Sequence, residues 1–183
     1  MAKKVLILTG SPRRGGNSDS MAAAFKLGAE KAGAEVQQVD MAELNVKGCN
    51  VCDKCWTDDM VCVFQDDMQK VYPLLEWADM LVFAFPIYYF TYPAQIKVFF
   101  DRLYPYAFQN QEKAENKEAV LLVCGEIDDP SVFDGVISTY RITCSYMKWN
   151  DSGVVCATGV NHIGDIQGTQ WLEKAQDLGE AVG

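Results

Sequence analysis

The sequence contains a single histidine and few basic residues for its length. Among 183 residues, 16 are Lys or Arg and 25 are Asp or Glu, which gives a formal net charge of −9. One histidine, His162, cannot build a histidine-rich metal site, and no nucleophile motif accompanies it. Because an acidic surface repels phosphate backbones and anionic headgroups, the composition argues against binding to nucleic acid or to a membrane.

Long hydrophobic runs are also missing. The longest, residues 80–90, contains Pro86 and is much shorter than the ~20 residues that span a bilayer. The apolar run 5–8 is too short for the core of a secretory signal, and we interpret it as a buried strand. Seven cysteines are an odd number, which argues against a complete disulfide framework. We therefore expect a cytoplasmic protein in a reducing environment.

Apolar runs alternate with segments of helical periodicity along the whole chain. About half of the residues, 49%, are hydrophobic, which is enough for a core on both faces of a sheet. Five candidate strands lie at residues 4–9, 35–39, 80–85, 119–124 and 153–157. The pattern predicts one α/β domain over residues 1–183, with a doubly wound, five-stranded parallel sheet in the flavodoxin-like order 2-1-3-4-5. Residues 45–65 lack periodicity and are predicted to form a cysteine-rich insert loop.

The first loop, residues 10–16, follows a buried strand and precedes a helix. A phosphate at this position would meet free backbone N–H groups and the positive end of the helix dipole. The loop has neither the Walker A ending nor the G-x-G-x-x-G pattern, which disfavours an NTPase or a dinucleotide site. The alternative is a solvated turn without a ligand. Candidate phosphate ligands are Ser11, Arg13, Asn17 and Ser18.

An aromatic loop, residues 86–93, follows the third strand. In the order 2-1-3 this strand end lies beside the first loop, so both loops would face one crevice. Apolar and aromatic side chains can pack on a flat ring there, although a subunit interface or a satellite core would also use them. Candidate residues are Pro86, Ile87, Tyr88, Tyr89, Phe90 and, after the fourth strand, Gly125.

Four cysteines fall within fourteen residues, at Cys49, Cys52, Cys55 and Cys62. A tight C-x2-C-x2-C run suits three corners of a 4Fe-4S cluster, although ferredoxins have three residues before the fourth cysteine, where this chain has six. Zinc, a redox-active disulfide such as Cys52–Cys55, and unoccupied thiols remain alternatives. The other three cysteines lie in predicted strands and a helix and are interpreted as packing residues.

The motifs together resemble a known family. Gly10-Ser11-Pro12-Arg13 with Asn17-Ser18, and the aromatic loop with Pro93-Ala94-Gln95, resemble the NADPH-dependent FMN reductase family of flavodoxin-like proteins. The cysteine spacing resembles the archaeal-type iron–sulfur flavoproteins that share this fold. The resemblance implies that the first loop holds the FMN phosphate, that the aromatic loop lines the isoalloxazine, and that the chain forms a homodimer or homotetramer.

The resemblance implies an FMN-dependent oxidoreductase that passes electrons from NAD(P)H to flavin, a quinone or another small acceptor. We assign no catalytic side chain, because the flavin itself carries the electrons. Two alternatives remain. One is an iron–sulfur flavoprotein that carries electrons between redox protein partners, and the other is a zinc-binding module without flavin. No nicotinamide motif distinguishes NADH from NADPH.

Overall fold

A computed structural model describes residues 1–57, 61–107 and 109–183. Its five strands form one parallel sheet in the order β2-β1-β3-β4-β5. This confirms the predicted flavodoxin-like topology. The strands are β1 (Lys4–Thr9), β2 (Glu35–Asp40), β3 (Met80–Pro86), β4 (Glu118–Cys124) and β5 (Asn150–Ala157).

Helices connect the strands and cover both faces of the sheet. They are α1 (Asn17–Lys31), α2 (Met68–Trp77), α3 (Ala94–Asp101), α4 (Gln111–Ala114), α5 (Asp134–Met147) and α6 (Gln170–Glu180). Four 3₁₀-helices lie at Met41–Glu43, Lys54–Trp56, Tyr104–Tyr106 and Pro130–Phe133. None of the helices in the described ranges has the length and apolarity to cross a membrane.

Two separate cores follow from the alternation of side chains along each strand. On β1, Val5 and Ile7 point to the face covered by α1 and α6, whereas Leu6 and Leu8 point to the face covered by α2, α3 and α5. All four side chains are completely buried. Because both faces are covered, the central strands are continuously apolar, which is the pattern that the sequence shows.

The edge strand β5 is longer than the sequence suggests. The apolar run predicts a start at Gly153, whereas the strand begins at Asn150. Its first residues are polar because they lie exposed at the sheet edge, so they carry no hydrophobic signal. A register shift opposite Ala119 and Val120 also interrupts the alternation there.

The predicted insert loop over 45–65 contains little regular structure. Among the described residues of this loop, the structure places one 3₁₀ turn, Lys54–Trp56. Residues 58–60 of this loop lie outside the described ranges. Val51 and Asp53 have φ angles of 53° and 58°, a left-handed conformation that is uncommon for non-glycine residues and costly for a β-branched one. Two such residues within the cysteine motif indicate a segment bent into a specific shape.

Helices α1 and α6 pack with their backbones in close contact at two glycines. A Cβ added to Gly28 would lie 2.2 Å from the carbonyl oxygen of Gln176, and one added to Gly179 would lie 2.1 Å from that of Phe25. Both distances are far below any real contact, and the opposing atoms are backbone. The absence of a side chain at these two positions therefore allows the backbones of α1 and α6 to pack this closely.

We predict that Gly28→Ala destabilises the protein. Overpacking against a fixed backbone costs about 1–3 kcal/mol, which outweighs the ~1 kcal/mol that alanine gains over glycine in a helix. Urea unfolding followed by circular dichroism measures the difference. Gly48→Ala is the control, since a Cβ there meets nothing within 4 Å. An unchanged midpoint for Gly28→Ala would contradict the close packing of α1 and α6.

Candidate functional site

A cavity of about 240 Å³ opens at the carboxyl-terminal edge of the sheet. The loops after β1, β3, β4 and β5 all contribute to it, and β1 and β3 lie side by side at its centre. This is the position at which open α/β sheets bind ligands. Eight of the ten residues predicted to bind a cofactor line this one cavity: Ser11, Arg13, Asn17, Ser18, Pro86, Ile87, Tyr88 and Gly125.

The polar end of the cavity is the loop between β1 and α1. The Ser11 hydroxyl accepts a hydrogen bond from the Arg13 backbone N–H at 3.1 Å, which closes a tight turn. Ser11, Asn17 and Ser18 are buried although they are polar. Helix α1 begins at Asn17, and Gly16 provides no side-chain cap. The start of α1 thus has no side-chain cap from Gly16, and its first residues Asn17 and Ser18 line the end of the cavity.

Two adjacent arginines in this loop have different surroundings. The Arg13 guanidinium donates one hydrogen bond to the carbonyl of Asn161 at 2.9 Å across the cavity, which leaves its other N–H groups for a ligand. Arg14 points away from the cavity and pairs with Asp40 and Glu43. Only Arg13 lines the cavity.

Asn17 connects the loop to the opposite wall. Its side-chain amide donates to the carbonyl of His162 at 3.0 Å and accepts from the N–H of Ile166 at 3.4 Å. The amide is thus engaged by the loop between β5 and α6. Asn17 shapes the cavity through this loop as well as through its own position at the start of α1.

Asp19 holds the turn of the first loop from the helix side. Its carboxylate accepts a hydrogen bond from the Gly15 N–H at 2.9 Å. Burial raises the pKa of this carboxyl above its ordinary value, and the hydrogen bond from Gly15 opposes the shift.

The aromatic loop ends in a tight turn. Tyr88 and Thr91 exchange backbone hydrogen bonds at 3.0 and 3.2 Å, and the two residues between them have φ angles of 48° and 64°. Those residues are Tyr89, which is 96% exposed, and Phe90, which is also exposed; neither lines the cavity. The loop thus places Pro86, Ile87 and Tyr88 against the cavity and directs the other two aromatic rings outward.

Sequence reasoning assigned no binding role to the part of the wall contributed by Val160, Asn161 and Ile163, which follow β5. Glu126, which follows the predicted Gly125 at the end of β4, also lines the cavity. The rule that ligands bind beyond the carboxyl ends of parallel strands applies to these strands as well and provides a signal for them. Their residue types form no motif, so only their position indicates a role.

Cys124 also lines the cavity, and its thiol is not reactive there. Burial raises the pKa of this thiol to about 12, so it stays protonated at neutral pH. Its role is packing at the end of β4, as the sequence predicts.

The donors and shape of the cavity fit FMN. At one end the cavity has buried hydroxyl and amide groups, a helix N-terminus and one guanidinium, a set that suits a phosphate group. At the other end Pro86 and Ile87 present an apolar surface that suits a flat ring. A dianion can be held here despite the overall negative charge, because these groups act locally.

The four motif cysteines line a second, small cavity of about 20 Å³. The other residues that line it are Asn50, Asp53, Val63, Phe64, Arg102, Tyr104 and Pro105. Cys55 is buried, Cys49 and Cys62 are half-buried, and Cys52 is exposed. All seven cysteines are free thiols in the structure, so no disulfide joins Cys52 to Cys55.

Neighbouring groups raise the pKa of one thiol in the cysteine cavity and donate hydrogen bonds to two others. Burial raises the pKa of Cys55, and the neighbouring Cys62, Cys49 and Cys52 add to the shift. The Cys49 sulfur accepts a hydrogen bond from the Val51 N–H at 3.4 Å, and the Cys62 sulfur accepts one from Arg102 at 3.3 Å. Such N–H···S bonds are typical around cluster-binding thiolates, where they tune the reduction potential.

The four thiols of the cysteine cavity, all within the described ranges, are not spaced for a single metal ion. Four thiolates on one zinc ion stand about 3.8 Å apart, as follows from tetrahedral bonds of ~2.3 Å. Across the described residues, no three Cys, His, Asp or Glu side chains are arranged to hold one metal ion. A 4Fe-4S cluster places iron and sulfide between its ligands and so requires wider spacing. An all-thiolate donor set around an apolar cavity suits that group.

Comparison with known proteins identifies similarity to FMN reductases and to iron–sulfur flavoproteins. Residues 3–129 match the family described as NADPH-dependent FMN reductase. An iron–sulfur flavoprotein of Archaeoglobus fulgidus is 30% identical over 179 residues, which cover 98% of this chain and 78% of that protein. An iron–sulfur flavoprotein of Methanosarcina thermophila is 36% identical over 99 residues, which cover 54% of this chain and 51% of that protein.

Solved structures share the fold at lower identity. An NAD(P)H:quinone oxidoreductase of Methanothermobacter marburgensis has a TM-score of 0.75 at 20% identity, covering 100% of this chain and 96% of that one. An azoreductase of Bacillus anthracis has a TM-score of 0.74 at 18% identity, covering 98% and 99%. Because the family match covers more than half of the sequence, the chain belongs to the NADPH-dependent FMN reductase family, and it is similar in sequence to iron–sulfur flavoproteins.

Proposed function

We propose that this protein is an FMN-dependent oxidoreductase that takes electrons from NAD(P)H and passes them to flavin, a quinone or another small acceptor. The observation that carries the proposal is the cavity beside β1 and β3, where a polar loop and an apolar loop face each other. Family membership supports FMN as the cofactor. Residues 1–183 then act as one FMN-binding domain in the cytoplasm.

In this proposal the loop after β1 binds the phosphate of FMN. Arg13 contributes charge, Ser11 and Ser18 contribute hydroxyl groups, and the first turn of α1 contributes backbone N–H groups. Asn17 keeps the loop after β5 in place through its bonds to His162 and Ile166.

The apolar end holds the ring system and excludes water from it. Pro86, Ile87 and Tyr88 lie on one side, and Gly125 lies on another. A Cβ at Gly125 would lie 3.2 Å from the Ile87 side chain, so the glycine lets Ile87 pack closely against this part of the wall. When bound, FMN supplies the redox chemistry, and the chain positions it and sets its surroundings.

The mouth of the cavity suits a small, partly apolar acceptor. Tyr88 and Ile163 both line the cavity and are exposed at its rim. Solved structures with this fold include a quinone oxidoreductase and three azoreductases. These names support a small aromatic acceptor for this chain.

We predict that Arg13→Ala weakens FMN binding, whereas Arg14→Ala does not. Loss of a charge-assisted hydrogen bond costs about 1.5–3 kcal/mol, equivalent to a rise in Kd of about 10–100-fold. Arg14 is the matched control, since it has the same charge and is adjacent but pairs with Asp40 and Glu43. Quenching of FMN fluorescence during titration of the apoprotein measures both constants.

Equal effects of the two substitutions would show that FMN affinity depends only on the net charge of the loop. That result would contradict a direct phosphate contact by Arg13. Failure of the wild-type apoprotein to take up any FMN would contradict the proposed function itself.

A second function is favoured by the cysteine cavity. All four motif cysteines line it, and the curated relatives of this chain are named iron–sulfur flavoproteins. On this reading the chain carries a 4Fe-4S cluster besides FMN and passes electrons between redox protein partners. Assembly as a homodimer or homotetramer would then bring the cluster of one subunit toward the FMN of another.

We predict that Cys62→Ser lowers the iron and acid-labile sulfide content of anaerobically reconstituted protein, because a four-thiolate cluster loses one ligand. Cys156→Ser is the control, since Cys156 lies in β5, outside the cysteine cavity. Chemical iron and sulfide assays of both variants make the comparison.

Equal iron and sulfide in Cys62→Ser and the wild type would rule out Cys62 as a ligand. A wild type that holds flavin but no iron, and that oxidises NAD(P)H rapidly with a small acceptor, would favour the simple reductase over the electron carrier.

A further inference from the structure

Arg102 is the largest completely buried side chain in the described ranges and carries a charge. It lies at the C-terminal end of α3 and is only 1% exposed. A buried guanidinium is costly unless each of its donors finds a partner. The hydrogen-bond partners of Arg102 therefore indicate its role.

Arg102 joins the two ends of the cysteine-rich loop. Its Nη atoms form a forked pair with the Asp66 carboxylate at 2.6 and 3.2 Å, and Nη1 also donates to the carbonyl of Lys47 at 2.9 Å. Lys47 precedes the first motif cysteine and Asp66 follows the last one. Asp66 in turn accepts the backbone N–H of Lys47 at 3.0 Å, which closes the ring of contacts.

The same guanidinium also reaches the cysteine cavity. Nη2 donates to the Cys62 sulfur at 3.3 Å, and Arg102 forms part of the cavity wall. Its plane lies over the ring of Phe64 at 5.1 Å, and its Nε donates to the Tyr72 hydroxyl at 3.2 Å. The orientation of Arg102 is thus fixed from every side, and the sulfur lies within reach of a fixed positive charge.

Neutralising the charge of Arg102 does not by itself require its contact with Cys62. Asp66 already neutralises Arg102, and a buried ion pair of this kind adds little stability over an apolar pair of equal size. The remaining N–H group is directed at a cysteine, in a cavity lined by three more cysteines. Groups that hydrogen-bond to metal ligands in this way fix the ligand and tune the metal centre.

We propose that Arg102 is the positioning residue of the cysteine cavity. It closes the loop that carries the four cysteines, fixes Cys62 as a ligand, and stabilises added negative charge on a cluster bound there. Because reduction of a 4Fe-4S cluster adds negative charge, an N–H group that donates to a ligand sulfur stabilises the reduced cluster and raises its midpoint potential. This inference rests on the iron–sulfur function proposed above.

The test uses two double variants of full-length protein. Arg102→Met with Asp66→Asn removes both charges, and the single side-chain oxygen of asparagine can still accept one of the two backbone N–H groups, of Lys47 or of Met68, that the carboxylate accepts. Arg141→Met with Asp151→Asn removes the same charges from an exposed ion pair in α5 and β5. FMN affinity and circular dichroism report whether each variant is folded.

Two readouts are measured for each protein. One is the Fe²⁺ concentration that gives half-maximal cluster assembly on the apoprotein in excess sulfide, followed by the absorption of the cluster. The other is the midpoint potential of the reconstituted cluster, followed by electron paramagnetic resonance. In the Arg102 double variant we expect the half-maximal Fe²⁺ concentration to rise by about 10–100-fold and the potential to become more negative. The Arg141 double variant should match the wild type in both.

A folded Arg102 double variant that assembles the cluster at the wild-type Fe²⁺ concentration and with the wild-type potential would overturn the inference and leave the iron–sulfur function intact. If this variant does not fold, Arg102→Lys is measured instead. A lysine keeps the charge and loses the forked contact, so we expect cluster assembly to need more Fe²⁺, and unchanged assembly would overturn the inference. A wild type that assembles no cluster would overturn the iron–sulfur function and the inference together.

Discussion

The order of the strands is the constraint on which the cavity beside β1 and β3 depends. β1 and β3 are neighbours, yet the helices that follow them, α1 and α3, cover opposite faces of the sheet. Their loops separate at the carboxyl edge and leave an opening that no helix fills. Only in this order do a phosphate-type loop and an aromatic loop, which are more than 70 residues apart in sequence, form the walls of one cavity.

Much of this arrangement can be predicted from the sequence, because its signals are local or periodic. Runs such as Val5–Leu8 reveal strands buried on both faces, and alternating helices imply the parallel order. Once the order is known, Ser11 and Ile87 must lie near each other. The exposed start of β5 at Asn150 has no such signal, because a solvated edge strand needs no apolar residues.

Other features depend on contacts that no sequence pattern encodes. Tyr89 and Phe90 share the composition of their neighbours, and only the left-handed turn at these residues directs them away from the cavity. Arg102 reads as an ordinary residue at a helix end, but its partners Lys47, Cys62 and Asp66 lie 36 to 55 residues away. The pairing of such distant residues is set by tertiary packing, and a single sequence does not reveal it.

The most direct test of the account is an absorption spectrum of protein produced and purified without oxygen, before and after heat release of the cofactor. The account predicts flavin bands, with FMN equimolar to the chain, on a broad shoulder that accompanies iron and sulfide. Flavin bands without the shoulder would leave the FMN cavity in place and remove the cluster. Colourless protein that takes up no added FMN would contradict the central claim that this cavity binds FMN.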